Sequence, residues 1–162
     1  MSEILLRGIL LTTTLRMLNE LRDPKSVTEA LHQLGREMGE IALVAYLRSV
    51  KGADNDLGTF LSKSIPSWFK TIMGRGLDNV RISESGKTII ARYSISDCRL
   101  CSGIISPSPD LFICEVVAGA LEWIADQRSG ELGFEAPSCH ETACRARGDG
   151  FCEFTLSLKT KI

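Results

Sequence analysis

The chain carries no marked excess of charge of either sign. Nineteen Lys and Arg residues stand against twenty Asp and Glu residues, and the formal net charge of the 162 residues is −1. No block of like charge is present that could follow a phosphate backbone. The charge pattern therefore argues against nucleic acid as a direct partner of this chain.

Long uncharged apolar runs are also lacking. The N-terminal segment carries Glu3 and Arg7, and its uncharged part is short and rich in threonine, so it meets the requirements of neither a transmembrane segment nor a secretory signal. We interpret residues 3–20 as a helix of the fold. The six cysteines then predict a cytoplasmic protein, because thiols stay reduced there and clustered cysteines bind metal more often than they form disulfides.

Histidine is scarce, and the common catalytic motifs are missing. His32 falls in the middle of a predicted helix, and His140 lies within a cysteine-rich segment. The sequence contains no Gly-x-Ser-x-Gly motif and no glycine-rich phosphate loop after a strand. Since no nucleophile with a neighbouring base can be identified, a binding protein is favoured over an enzyme.

Apolar residues spaced three and four apart predict helices over residues 27–50, 57–63, 66–74 and 111–126. A capping box of Ser26 and Glu29 would begin the first of these helices, and Asp110 would cap the last. Gly35 and Gly39 lie one turn apart inside the first helix, where glycine is unfavourable unless another element approaches closely. We therefore expect a tight packing contact against this helix.

A period of two predicts strands over residues 80–83, 87–95, 132–136 and 152–158. The short Ser85-Gly86 turn makes the first two strands a hairpin, so their pairing should be antiparallel. With 44% hydrophobic residues, the chain can form one domain over residues 1–162. The expected fold is α+β, with an antiparallel sheet of about four strands packed on one side by helices.

A metal-binding pattern occupies the last quarter of the sequence. Two residues separate Glu141 from Cys144, seven separate Cys144 from Cys152, and the segment Gly148–Gly150 between them can turn the chain back on itself. Zinc prefers four tetrahedral ligands chosen among nitrogen, sulfur and oxygen. The spacing therefore predicts a zinc site with three ligands here, the fourth position being left to another residue or to water.

The same residues resemble the signature of the 4-vinyl-reductase domain family, because the pattern Glu-x-x-Cys-x-Ala-x-Gly-x-x-x-Cys-x-Phe runs from Glu141 to Phe154. That family includes accessory proteins of bacteriochlorophyll synthesis, effector-sensing domains of bacterial activators that respond to aromatic compounds and, more distantly, TRAPP vesicle-tethering subunits. The resemblance implies a closed, structural zinc site whose fourth ligand is Cys114, on an upstream helix. It assigns no role to His140.

Three further cysteines leave the set of metal ligands open. Cys98 and Cys101 form a Cys-x-x-Cys pair without the strand-then-helix context of a thioredoxin, so structural thiols or metal ligands are favoured over a redox centre. In the competing interpretation Glu141 faces solvent, and Cys98, Cys101 or Cys139 completes the zinc site, because zinc prefers thiolate.

The resemblance also implies a function, namely a zinc-stabilised regulatory sensor or carrier that binds an apolar or aromatic small molecule and forms a homodimer. The alternatives are an accessory or reductase-like protein of tetrapyrrole metabolism and a TRAPP-like scaffold subunit. The residues that could surround a ligand are Trp68, Phe69, Met73, Tyr93 and Trp123. The competing interpretation is that these large side chains fill the core and leave no cavity.

Overall fold

The computed structural model describes residues 13, 16, 17, 23–49 and 56–161, except for the side chains of residues 42–49, 71 and 72. The elements in chain order are α1 (Pro24–Ser49), α2 (Leu57–Thr59), a π-helical turn (Phe60–Ser64), α3 (Ile65–Met73), β1 (Asn79–Ser85), β2 (Thr88–Ile95), α4 (Glu115–Leu132), β3 (Phe134–Ala143), a 3₁₀ turn (Arg145–Arg147) and β4 (Cys152–Thr160). Most of the helix predicted over residues 3–20 lies outside this range. Among the described helices, none combines the length and the apolar character needed to cross a membrane.

The strands form one antiparallel sheet in the order β1-β2-β4-β3. β1 and β2 make the predicted hairpin, in which Ser85 pairs with Thr88 across the turn. Gly86 in that turn has a φ of 59°, a left-handed conformation that only glycine adopts without strain. The predicted α+β fold with four antiparallel strands is confirmed.

Helices cover one face of this sheet. The side chains on that face are buried in both central strands: Ile89, Ala91, Tyr93 and Ile95 in β2, and Cys152, Phe154, Leu156 and Leu158 in β4. Arg92 and Lys159, which point the other way, are exposed. Because each large apolar side chain contributes roughly 1.5–3 kcal/mol when fully buried, this alternation fixes which face meets the helices.

The start of α1 differs from the prediction. The helix begins at Pro24, and the capping box of Ser26 and Glu29 is wrong. Oδ2 of Asp23 accepts hydrogen bonds from the backbone N–H of Ser26 at 3.1 Å and from its hydroxyl at 2.6 Å. Asp23 thus caps the helix, and Pro24 fits in the first turn because its missing N–H is not needed there.

α3, which contains Pro66 in its first turn, is continuous with the preceding π-helical turn. Asp56 caps the first segment as expected, since its Oδ1 accepts a hydrogen bond from the N–H of Thr59 at 2.8 Å. The predicted break between Lys63 and Pro66 is replaced by the π-helical turn Phe60–Ser64. Pro66 falls in the first turn of α3, where a proline is tolerated, so the chain keeps winding.

α4 begins at Glu115, four residues later than predicted, and Asp110 is not its cap. The preceding segment is held instead by tertiary hydrogen bonds: the N–H of Phe112 donates to the Thr28 hydroxyl of α1 at 3.2 Å. Backbone groups satisfied in this way do not need a helix. As a result Cys114 occupies the N-cap position of α4 rather than its interior.

α1 and α4 cross in direct backbone contact at two glycines. A Cβ added to Gly35 would lie 2.0 Å from the carbonyl oxygen of Val116, and one added to Gly119 would lie 2.0 Å from the carbonyl oxygen of His32. Gly39, one turn further along α1, also faces a side chain of α4. The expected tight contact is therefore a helix-on-helix crossing.

Replacing Gly35 by alanine should lower the free energy of unfolding by roughly 1–3 kcal/mol, because the added methyl group forces the two helix backbones apart. Gly130 of α4 is the matched control, since a Cβ added there meets nothing within 4 Å. The Gly130→Ala variant should gain up to about 1 kcal/mol from helix propensity. Equal effects of the two substitutions in denaturant titrations followed by circular dichroism would contradict the crossing.

Candidate metal centre

Six potential metal ligands converge where the loop after β2, the start of α4 and the β3–β4 hairpin meet. All of them are buried: Cys98, Cys101, Cys114, Glu141, Cys144 and Cys152. No disulfide joins any of the six cysteines of the chain. Elements that are distant in sequence therefore contribute to one thiol-rich site.

The four ligands expected from the sequence motif and the family resemblance are brought together. The ligand atoms of Cys114, Glu141, Cys144 and Cys152 all lie within 4.8 Å of one another. Glu141 is only 4% exposed, which excludes the alternative in which it faces solvent. Oε2 of Glu141 accepts a hydrogen bond from the N–H of Cys114 at 2.8 Å, so the carboxylate is held against the start of α4.

A second quartet overlaps the first. Cys98, Cys101, Cys114 and Cys152 also lie within 4.8 Å of one another through their sulfur atoms. The sulfur of Cys98 is 3.6 Å from that of Cys114, and the sulfur of Cys101 is 3.3 Å from that of Cys152. The Cys-x-x-Cys pair is therefore part of the same cluster, whereas Cys139 is buried outside both quartets.

The turn after β3 returns the chain to the cluster. The N–H of Cys144 donates to Oδ2 of Asp149 at 2.8 Å, and the N–H of Arg147 donates to the carbonyl of Cys144 at 2.9 Å. Gly148 closes the 3₁₀ turn with a φ of 97°. This reversal, which the glycines of the motif predicted, brings Cys152 back beside Cys144 at the start of β4.

The donor set suits a soft divalent cation. Burial raises the pKa of the Glu141 carboxyl well above its usual range, and negative charge at Cys144 raises it further. Oε1 of Glu141 is buried without a hydrogen-bond partner in the described part of the chain. Thiolate and carboxylate ligands that oppose one another's ionisation are stabilised together by a cation such as zinc. The residues therefore fit the predicted metal.

A second polar cluster, which the sequence did not predict, lies beside the first. Nδ1 of His32 and Nδ1 of His140 each lie 2.9 Å from Oε1 of Glu115. The other carboxylate oxygen of Glu115 accepts a hydrogen bond from the N–H of Glu141 at 2.7 Å. Glu115 follows Cys114 and His140 precedes Glu141, and this adjacency to the metal ligands was the available signal. His32 comes from α1, and no local pattern indicated it.

Two carboxylates hold His32 in its protonated form. Hydrogen bonds with Glu115 and then Glu122 raise the pKa of His32 from 6.5 to about 9. Burial opposes the charged form of Glu122, but hydrogen bonds from His32 and from the N–H of Cys139 lower the pKa of that carboxyl to about 2. An ion pair between Arg36 and Glu122 completes the network.

Of the candidate ligand-lining residues, four are buried in the core: Trp68, Phe69, Met73 and Tyr93. The Tyr93 hydroxyl donates to the carbonyl of Leu61 at 3.0 Å. Trp123 is half-buried and packs toward α1, where a Cβ added to Gly39 would approach it to 3.1 Å. Nε1 of Trp68 is buried with no hydrogen-bond partner among the described residues, an arrangement that costs about 1–3 kcal/mol.

No family model matches the sequence, and no curated protein matches it. Several solved structures, in contrast, are similar to this chain. The chain is similar to trafficking protein particle complex subunit 3 from Naegleria fowleri, solved covalently bound to palmitic acid, with a TM-score of 0.72 and 16% identity over 98% of this chain and 97% of that chain. It is also similar to the phenol-responsive sensory domain of the transcription activator PoxR, solved with phenol, with a TM-score of 0.58 and 16% identity over 95% of this chain and 74% of that chain.

The fold is shared with both of these proteins. Identities this low show the fold alone, because one fold serves many functions. The two proteins correspond to two of the three kinds that the sequence resemblance named, a TRAPP subunit and an aromatic-sensing domain. The resemblance in the metal-binding motif and the likeness of the fold thus agree.

The contribution of His32 predicts a pH dependence of stability. Because its pKa is raised from 6.5 to about 9, the charged His32 stabilises the folded state fully below 6.5, and this stabilisation is lost as the pH rises through about 9. The difference in unfolding free energy between wild type and His32→Gln should therefore be constant below pH 6 and shrink toward pH 10.

Denaturant titrations at a series of pH values measure this difference. The His140→Gln variant is the control. Its unfolding free energy should keep the wild-type dependence on pH, because His32 retains its contacts with Glu115 and Glu122. A difference between wild type and His32→Gln that does not change with pH would show that the ion-pair network does not hold the histidine charged.

Proposed function

We propose that this chain is a zinc-stabilised domain of the 4-vinyl-reductase type that binds an apolar or aromatic small molecule and acts as a regulatory sensor or carrier. The observation that carries the proposal is the buried quartet Cys114, Glu141, Cys144 and Cys152 at the junction of α4 with the β3–β4 hairpin. The likeness to a phenol-responsive sensory domain supports small-molecule binding. Six free, buried thiols accord with a reducing compartment such as the cytoplasm.

Zinc would have a structural role in this domain. Cys144 and Cys152 of the hairpin, Cys114 at the start of α4 and the Glu141 carboxylate would hold the ion and would leave no tetrahedral position open. When bound, the ion supplies positive charge that stabilises the ionised ligands. Two hydrogen bonds already join α4 to the hairpin. The backbone N–H of Cys114 donates to the Glu141 carboxylate, and the backbone N–H of Glu141 donates to the Glu115 carboxylate.

An apolar interior with one unpaired polar group, the indole N–H of Trp68, supports the type of ligand. Trp68, Phe69 and Met73 on α3 and Tyr93 on β2 are buried together in the core, and the indole N–H of Trp68 lacks an acceptor among the described residues. A bound molecule with a hydroxyl or carbonyl oxygen would supply that acceptor. The two structural neighbours were solved with molecules of this kind, phenol and palmitic acid, each an apolar body with a single polar end.

A TRAPP-like scaffold subunit is the second candidate function. It is favoured by the match to the Naegleria fowleri subunit, which covers 97% of that chain. A homodimer also belongs to the proposal, and its support is the apolar N-terminal sequence together with the family resemblance. A scaffold role would require a protein partner but no exchangeable ligand, so ligand binding separates the two candidates.

Loss of the metal should loosen the β3–β4 hairpin. In the Cys144→Ser Cys152→Ser double variant we expect loss of zinc by elemental analysis. We also expect faster amide hydrogen exchange over residues 134–160, because metal binding and folding are coupled. The core on α3 and β2 should keep its protection, since a domain of this size has its own apolar core.

The Cys139→Ser variant is the matched control, because Cys139 is a buried cysteine outside the metal cluster. It should retain zinc and the protection of residues 134–160. Full zinc retention in the double variant, or unchanged exchange after zinc has been lost, would contradict the structural role of the metal.

The ligand proposal predicts a selective effect of Trp68→Phe. The substitution keeps an aromatic ring but removes the N–H donor, so the affinity for phenol should fall roughly fivefold, which corresponds to about 1 kcal/mol, while that for toluene should not change. Without ligand, the stability gained by removing an unpaired buried donor is opposed by the smaller apolar volume that phenylalanine fills in the core.

Isothermal titration with phenol and toluene provides the measurement, and Trp123→Phe is the control for loss of an indole elsewhere. If the wild-type protein binds neither compound, or if both compounds lose affinity equally in Trp68→Phe, the indole N–H does not recognise a ligand.

A further inference from the structure

We propose that the cysteine cluster holds two divalent cations, and that Cys114 and Cys152 bridge them. This inference rests on the proposed zinc site and extends it. One ion would be held by Glu141 and Cys144 together with the two bridging thiolates, and the other by Cys98 and Cys101 with the same two thiolates. The Cys-x-x-Cys pair after β2, which a one-ion site leaves without a role, would thereby become a pair of metal ligands.

The overlap of the two quartets is the first observation behind this proposal. Each quartet by itself brings its four ligand atoms within 4.8 Å of one another, and the members common to both are Cys114 and Cys152. Six donors exceed the four that one tetrahedral ion can use. Two tetrahedra that share an edge use all six, with the shared thiolates as that edge.

The distances between sulfur atoms fit this arrangement. Thiolates on one tetrahedral zinc ion are separated by about 3.8 Å, as follows from a zinc–sulfur distance of about 2.3 Å. Each observed short separation joins one cysteine of the Cys-x-x-Cys pair to one bridging cysteine: 3.6 Å for Cys98 to Cys114 and 3.3 Å for Cys101 to Cys152. Both are far longer than the ~2.0 Å of a disulfide bond. Both join two sulfur atoms that the second ion would bind.

The second ion would also explain how the segment after β2 is held. Residues 96–114 contain no helix or strand in the structure, yet Cys98, Leu100, Cys101 and Leu111 within it are buried. A backbone hydrogen bond from Ser106 N to the carbonyl of Ala146 fixes this segment to the turn of the hairpin. The two-ion site would add metal bonds between the same two parts of the chain.

Metal stoichiometry tests the proposal. Protein purified without oxygen should contain two zinc ions per chain by elemental analysis, the Cys98→Ser Cys101→Ser variant should contain one, and the Cys139→Ser control should contain two. One zinc ion in wild type that is retained in the Cys98→Ser Cys101→Ser variant would overturn the second site and leave the proposed function intact. Wild-type protein without metal would overturn both. Iron with acid-labile sulfide, or two zinc ions unaffected by the Cys98→Ser Cys101→Ser change, would also refute the bridged site.

Cobalt titration of the wild-type protein tests the bridge even if the cysteine variants fail to fold. Absorption bands of tetrahedral cobalt thiolate should grow up to two equivalents. The magnetic moment per cobalt should fall during the second equivalent, because bridging thiolates couple the two ions. Saturation at one equivalent, or a constant magnetic moment through two, would contradict shared ligation by Cys114 and Cys152.

Discussion

The ionisable groups that are buried at the start of α4 are the constraint on which the rest of the structure depends. Five thiols and the Glu141 carboxyl are buried in one cluster, and the Glu115 carboxyl beside it accepts a hydrogen bond from the N–H of Glu141. Each group that ionises makes ionisation of the next more unfavourable. On one side of these groups, His32 supplies positive charge beside Glu115. On the other side, the proposed zinc would supply it among the thiols and Glu141.

Glu115 and Glu141 connect these two sides. The N–H of Cys114 donates to the Glu141 carboxylate, and the N–H of Glu141 donates to the Glu115 carboxylate, so the start of α4 and β3 are joined in both directions. Glu115 continues the connection to His32 on α1, whose position is set by the glycine crossing. A change in the occupancy of the candidate metal site would therefore reach α1 through specific hydrogen bonds.

Regular elements were predictable where one periodicity held without competition. The alternation of apolar and polar residues along 87–95 and 152–158 correctly predicted two strands, because each of these strands buries only one face. Helix starts were less predictable. The predicted cap Ser26 is replaced by Asp23, which the sequence analysis did not identify. Asp110 is a predicted cap that the chain does not use, because tertiary hydrogen bonds such as that from Phe112 to Thr28 hold the segment before α4. Sequence preferences at a helix end are worth about 1 kcal/mol, which one long-range contact can outweigh.

The sequence by itself determined the fold class and the candidate metal-binding motif, because strand period, glycine turns and cysteine spacing are local properties. It indicated Glu141, Cys144 and Cys152 by spacing, and Cys114 through the family resemblance. Only the tertiary structure decided that Cys98 and Cys101 join the same cluster while Cys139 does not, and that His32 reaches Glu115. These contacts join residues tens of positions apart, and their formation depends on how α1 crosses α4 and how the segment after β2 folds over the hairpin. No local pattern encodes that geometry.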